Sequence, residues 1–153
     1  MKTRIITAAV LVPVLLLLIL VLDKVIASVV MGLLLAIGAY ELLYRTRLVM
    51  RPRLVIYSAV MAFVVAMWSY LEAIHAFFLL IVAVYFMLLF AEMMMDHVKV
   101  RFDMLGSSFL GGFLMPYLLS SLVRILTMGI GRYVVLIPFV VAFVSDAGAY
   151  FIG

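Results

Sequence analysis

Six apolar runs, at 5–22, 25–44, 54–71, 76–95, 104–126 and 133–153, follow one another with only short polar links between them. A helix of about 20 apolar residues matches the hydrocarbon thickness of a bilayer, so runs of this length read as membrane spans. Hydrophobic residues form 71% of the 153 and charged ones 12%, and the mean hydropathy is +1.44, which leaves no material for a soluble domain of any size. The expected fold class is therefore all-α, a polytopic transmembrane helix bundle of about six spans occupying residues 1–153 as one membrane domain.

The links are Asp23-Lys24, then 45–53, 72–75, 96–103 and 127–132. Links this short make consecutive helices antiparallel neighbours. The first run follows Lys2 and Arg4, and Val25-Ile26-Ala27 faintly resembles a cleavage site, but the run is too long for a signal-peptide core and five more follow it. It reads as a retained signal anchor. With no Cys there is no disulfide framework, thiolate metal site or thiol nucleophile.

A net charge of +4 and a pI near 9.6 raise the question of an anionic partner, yet the basic residues sit mainly in the links, where they set topology and meet anionic lipid heads. No basic stripe interleaved with aromatics supports nucleic-acid binding. A cytoplasmic N-terminus puts Lys2, Arg4, Arg45, Arg47, Arg51, Arg53, Lys99 and Arg101 inside, eight cations against Lys24, Arg124 and Arg132 outside. That bias fits the rule that positive charge stays inside. The sixth run then travels inward, with its far end in the cytoplasmic half.

That far end carries the main functional suspect, Asp146 beside Ser145. A charged carboxylate at mid-span costs about 2.5–3.5 kcal/mol on insertion scales, so it persists where a cation, donor or water compensates it. On a helix, Asp146, Ala149, Tyr150 and Gly153 lie three or four residues apart and share one face. Small residues beside a carboxylate admit a neighbouring backbone or a ligand. Such an oxygen ligand suits a hard cation such as Mg²⁺, which also accepts phosphate oxygens. The alternative is a structural Asp bonded to a facing helix.

Other candidates are weaker. Glu41 and Glu92 stand near the cytoplasmic ends of their helices and could add metal ligands, but Glu41 has Arg45 at helical spacing and Glu92 has loop cations in reach, so both read as interface residues. In the fifth run, Ser107/Gly111 and Ser108/Gly112 form overlapping small-xxx-small pairs, which favour close helix packing, and Pro116 deprives the Gly112 carbonyl of its helical bond and should kink the span. Asp96, His97, Lys99, Arg101 and Asp103 read as a solvated, lipid-touching link, and the arginines from 45 to 53 as topology determinants able to hold anionic heads.

The stretch Ser145-Asp146-Ala147-Gly148-Ala149-Tyr150-Phe151-Ile152-Gly153 resembles the Ser-Asp-x-x-Ala-Tyr-x-x-Gly segment of bacterial phosphatidate cytidylyltransferases, the CDP-diacylglycerol synthases. Arg4-Ile5-Ile6-Thr7-Ala8 leading to Val12-Pro13, Tyr40-Glu41, and the helix from Phe109 to Ile125 also look like that family. The resemblance implies an enzyme that joins CTP to phosphatidic acid, giving CDP-diacylglycerol and pyrophosphate with Mg²⁺, in phospholipid biosynthesis at the bacterial inner membrane. It implies Asp146 as catalytic and metal-binding residue, and Ser145, Ala149, Tyr150 and Gly153 as substrate-binding residues. Membrane lipids are further partners and a homodimer is compatible with it. In that family the final Gly is followed by a basic residue, a cytoplasmic Ser-Pro-Lys-Lys-Thr stretch and, later, an Asp-rich signature that supplies most of the metal site. The expectation is thus an N-terminal part of a longer enzyme, inactive alone, with the catalytic C-terminal part missing. The rival from another class is a small multi-pass transporter or scaffolding subunit in which Asp146 serves an ion or a partner helix.

Overall fold

The computed structural model describes residues 23–71 and 75–152. Described residues form helices joined by turns and short extended links, with no strand among them, in keeping with the expected all-α class. Three helices are long and apolar enough to cross a membrane, Val25–Arg45, Phe78–Met95 and Phe102–Leu126. Two further apolar helices, Pro52–Trp68 and Leu136–Ile152, are 17 residues each. The run at 5–22, and with it the anchor reading, lies outside the described residues. Where about six spans were expected, three of span length stand among the described residues.

The chain falls into two compact units, one of residues Ser28–Val123 and one made of the described residues from Arg124 onward with 23–27. In the first, α1 (Lys24–Arg45) stops where Arg47 adopts φ 57°. The N–H of Arg47 donates to Tyr44 O at 3.2 Å and that of Val49 to Leu43 O at 3.2 Å, which serves carbonyls the helix end leaves without partners. Arg45 in the last turn suits the negative end of the helix dipole. Next, α2 (Pro52–Trp68) opens on a proline that has no N–H to waste, after an extended Arg51, the conformation a residue before proline prefers.

On α2, Leu54, Val55, Ser58, Met61, Ala62, Val65 and Ala66 are buried, a stripe at helical period. By contrast α3 (Phe78–Met95) buries only Tyr85 and Leu89 completely and leaves Leu79 81% and Met87 74% exposed, an apolar surface suited to lipid tails. The irregularity expected at Pro116 takes the form of a π-turn. The helix runs as α4 (Phe102–Phe109), a π-turn (Leu110–Leu114) in which Met115 N–H reaches Leu110 O, α5 (Met115–Leu119), and, after Ser120, α6 (Ser121–Thr127). Widening the turn ahead of Pro116 eases the clash its ring would make with a carbonyl one turn back.

Helices in lipid gain little from hiding apolar groups from one another, so close contact and hydrogen bonds decide packing. Gly112 supplies both. A Cβ there would lie 2.6 Å from Ser58 Cβ and 2.6 Å from the Tyr85 hydroxyl, so α2, α3 and the π-turn meet where only glycine fits. Around it, the Tyr85 hydroxyl donates to Ser108 O at 2.8 Å and meets Ser58 Oγ at 3.0 Å, and Ser58 Oγ also reaches Leu54 O at 2.8 Å. Gly111 sits against Leu43 of α1. The small-residue pairs thus act in packing.

A ladder of rings, Phe109, Phe113 and Tyr117, continues this seam at centroid separations of 5.2 and 5.9 Å, with Phe78 and Trp68 stacked beside it at 4.0 Å. Val49, Leu54, Leu89, Val100 and Leu105 join one buried cluster, so both links, 46–51 and 96–101, close over the same end of this unit.

Candidate active site

In the second unit, α7 (Gly131–Val134) leads to α8 (Leu136–Ile152). Helix geometry places Asp146, Ala149 and Tyr150 on one face, as the spacing required. Ser145, Asp146 and Ala149 are exposed, and a Cβ on Gly148 would meet nothing within 4 Å, so the helix surface around the carboxylate is thin and open. Exposed Ile137, Val140, Val141 and Val144 make the preceding turns apolar. The side chain of Tyr150, and Gly153 altogether, lie outside what is described.

Four of the other described carboxylates are paired, whereas Asp23, exposed at the head of α1, shares with Asp146 the lack of a side-chain partner among the described residues. Glu41 pairs with Arg45 at 3.5 Å, Asp103 with Arg101 at 3.3 Å, Glu92 with Arg53 at 3.6 Å, and Asp96 with Arg51. Glu92 also accepts a hydrogen bond from the Tyr57 hydroxyl at 3.3 Å. A carboxylate already facing a guanidinium is a poorer ligand for a second cation. Glu41 therefore has the Arg45 partner its spacing offered, and Glu92 a link cation, Arg53. Among the described residues Asp146 has no hydrogen bond or ion pair, and no group of three His, Asp or Glu side chains converges to hold a metal. Asp146 is one open oxygen donor in an apolar helix.

Such a donor set fits Mg²⁺ in one mode: the ion commonly takes one or two protein carboxylates and completes its shell with water and substrate phosphates. Asp146 offers one such carboxylate, and any second protein ligand must come from elsewhere.

The Arg51–Asp96 pair was not anticipated, and the residues are 45 apart in sequence. The Ser58–Tyr85–Ser108 cluster was foreshadowed only by the serine–glycine pairs around it.

A model of the cytidylyltransferase family matches residues 2–153, nearly the full length given. The chain belongs to this family. No curated protein and no solved structure matches it. Membership brings nucleotidyl transfer with CTP as the implied substrate, and the apolar helices make this cytidylyltransferase-family chain a membrane protein.

Proposed function

We propose that the protein is a phosphatidate cytidylyltransferase, or the part of one that carries Asp146, in a bacterial inner membrane with its N-terminus in the cytoplasm. A phosphate oxygen of phosphatidic acid attacks the α-phosphorus of CTP, the bond to the β-phosphate oxygen breaks, and pyrophosphate leaves as CDP-diacylglycerol forms. The observation that carries this reading is a carboxylate left without a cation on an exposed face of an apolar helix, in a chain of the cytidylyltransferase family.

Two polyanions do not approach each other unaided, and when bound Mg²⁺ supplies the charge neutralisation that brings phosphate oxygen and α-phosphorus together. Asp146 would help to hold that ion, together with the phosphates of the substrates. Ser145 stands next to it as a hydroxyl donor for a phosphate oxygen. Ala149, one turn on, keeps the face low enough for a nucleotide to approach. Tyr150 and Gly153 enter on the family resemblance, as neighbours on the same face. The excess of cations at the ends of α1 and α3 supports placing those ends, and the N-terminus, in the cytoplasm.

The test is the acceptor. Membranes carrying the natural full chain, given CTP labelled in the α-phosphate, should transfer label to an organic-soluble product when phosphatidic acid is added and not when diacylglycerol is. Label passing to a different acceptor, or no transfer above membranes lacking the protein, would overturn the assignment.

A further inference from the structure

The closed end of the first unit holds more cations than its carboxylates can absorb, and the structure distinguishes which are committed. Arg51 and Arg53 are paired to Asp96 and Glu92 and brace the two links against each other. Arg45 and Arg101 have carboxylates at 3.5 and 3.3 Å. Arg47 and Lys99, one on each link, are exposed and have no side-chain partner among the described residues.

Arg47 is held in a left-handed conformation, where glycine or asparagine is the usual choice, so a long cation occupies a helix-capping position that disfavours it. Lys99 belongs to a turn fixed by its own N–H to Asp96 O at 3.1 Å and by Val100 N–H to the same carbonyl at 2.9 Å. Beside these two cations the links and the first residue of α4 expose large apolar side chains: Met50 66%, Val98 78% and Phe102 71%. Water alone gives such side chains no reason to sit there. The boundary between headgroups and acyl chains does, because it wets the cation and covers the hydrocarbon at one depth.

We infer that this end of the bundle is a docking rim for anionic phospholipid headgroups, with Arg47 and Lys99 meeting the phosphates and Met50, Val98 and Phe102 seated among the upper acyl carbons. The rim shares no residue with the Asp146 face and is indifferent to which lipid is the substrate. Its two cations stand on links tied together by Arg51 and Asp96, so a headgroup meets a preset spacing.

The full chain is purified in a neutral detergent and equilibrated with mixed micelles of phosphatidylcholine and labelled phosphatidylglycerol, an anionic lipid that lacks the phosphomonoester of the proposed substrate. The labelled lipid retained by the captured protein is then counted. Wild type should retain phosphatidylglycerol over phosphatidylcholine, and retention should fall as salt is raised. Arg47→Gln or Lys99→Gln should each weaken it about fivefold and the pair about thirtyfold, while Arg47→Lys with Lys99→Arg keeps it. Asp146→Asn should retain lipid as wild type does, which separates failure of the rim from failure of the enzyme assignment. Salt-independent retention by wild type, undiminished retention by the double Gln variant, or displacement by soluble glycerol phosphate would each overturn the rim.

Discussion

Gly112→Ala tests the packing of the first unit with one methyl group. The added carbon would stand 2.6 Å from Ser58 Cβ, 2.6 Å from the Tyr85 hydroxyl and 2.7 Å from Ser58 Cα. Ordinary carbon contacts are about 3.5–4.0 Å, so the overlap is about 1 Å, and because one opposing atom is backbone no side-chain rotation removes it. The α2 helix must retreat from the π-turn, at an overpacking cost of about 1–3 kcal/mol. Displacing the Tyr85 hydroxyl from Ser108 O adds about 1 kcal/mol, and better helix propensity returns up to about 1 kcal/mol. The net loss is about 1–3 kcal/mol. At about 2–4 °C per kcal/mol, the apparent unfolding midpoint in detergent should drop by several degrees. Gly106→Ala is the internal control, because its Cβ meets nothing within 4 Å, and it should leave the midpoint level or raise it. A Gly112→Ala protein as stable as wild type would refute the contact between α2, α3 and the π-turn.

Further outcomes follow from the same contacts. Tyr85→Phe removes the donor to Ser108 O and the partner of Ser58 Oγ, and should cost about 1–3 kcal/mol; in a double-mutant cycle with Ser58→Ala the two losses should be less than additive. Arg51→Asp and Asp96→Arg should each lower the stability by up to about 1 kcal/mol, since the pair is part-exposed, and the double reversal should recover most of it. Replacing Met50 and Phe102 by serine should leave the detergent midpoint unchanged, because both side chains are exposed, while reducing retention of phosphatidylglycerol.

Much of the helix layout was legible in the sequence because apolar runs bounded by charges leave few choices. Expected spans at 25–44 and 76–95 differ from Lys24–Arg45 and Phe78–Met95 by one or two residues at an end. The span expected at 54–71 begins instead at Pro52, the position where proline is at home, and ends at Trp68, with Ser69 turning its hydroxyl back to Val65 O at 3.3 Å. Hydropathy is blind to both signals. It is equally blind to the division of 104–126, where Gly111, Gly112 and Pro116 produce a π-turn and Ser120 interrupts the helix. The shared face of Asp146 and Ala149 follows from helical period alone and could be read at once. Pairs such as Arg51 with Asp96 depend on which helix ends come together, which local pattern does not encode.

The central claim is that Asp146 belongs to the cytidylyl-transfer site. The most direct measurement compares CTP-dependent formation of CDP-diacylglycerol across a Mg²⁺ titration for the natural full chain, Asp146→Asn and Asp146→Glu, each checked for equal membrane insertion. Neutralising the carboxylate should cut turnover about a hundredfold or more, and Asp146→Glu should recover part of it at raised Mg²⁺. Wild-type turnover with an unshifted Mg²⁺ dependence in Asp146→Asn would contradict the claim.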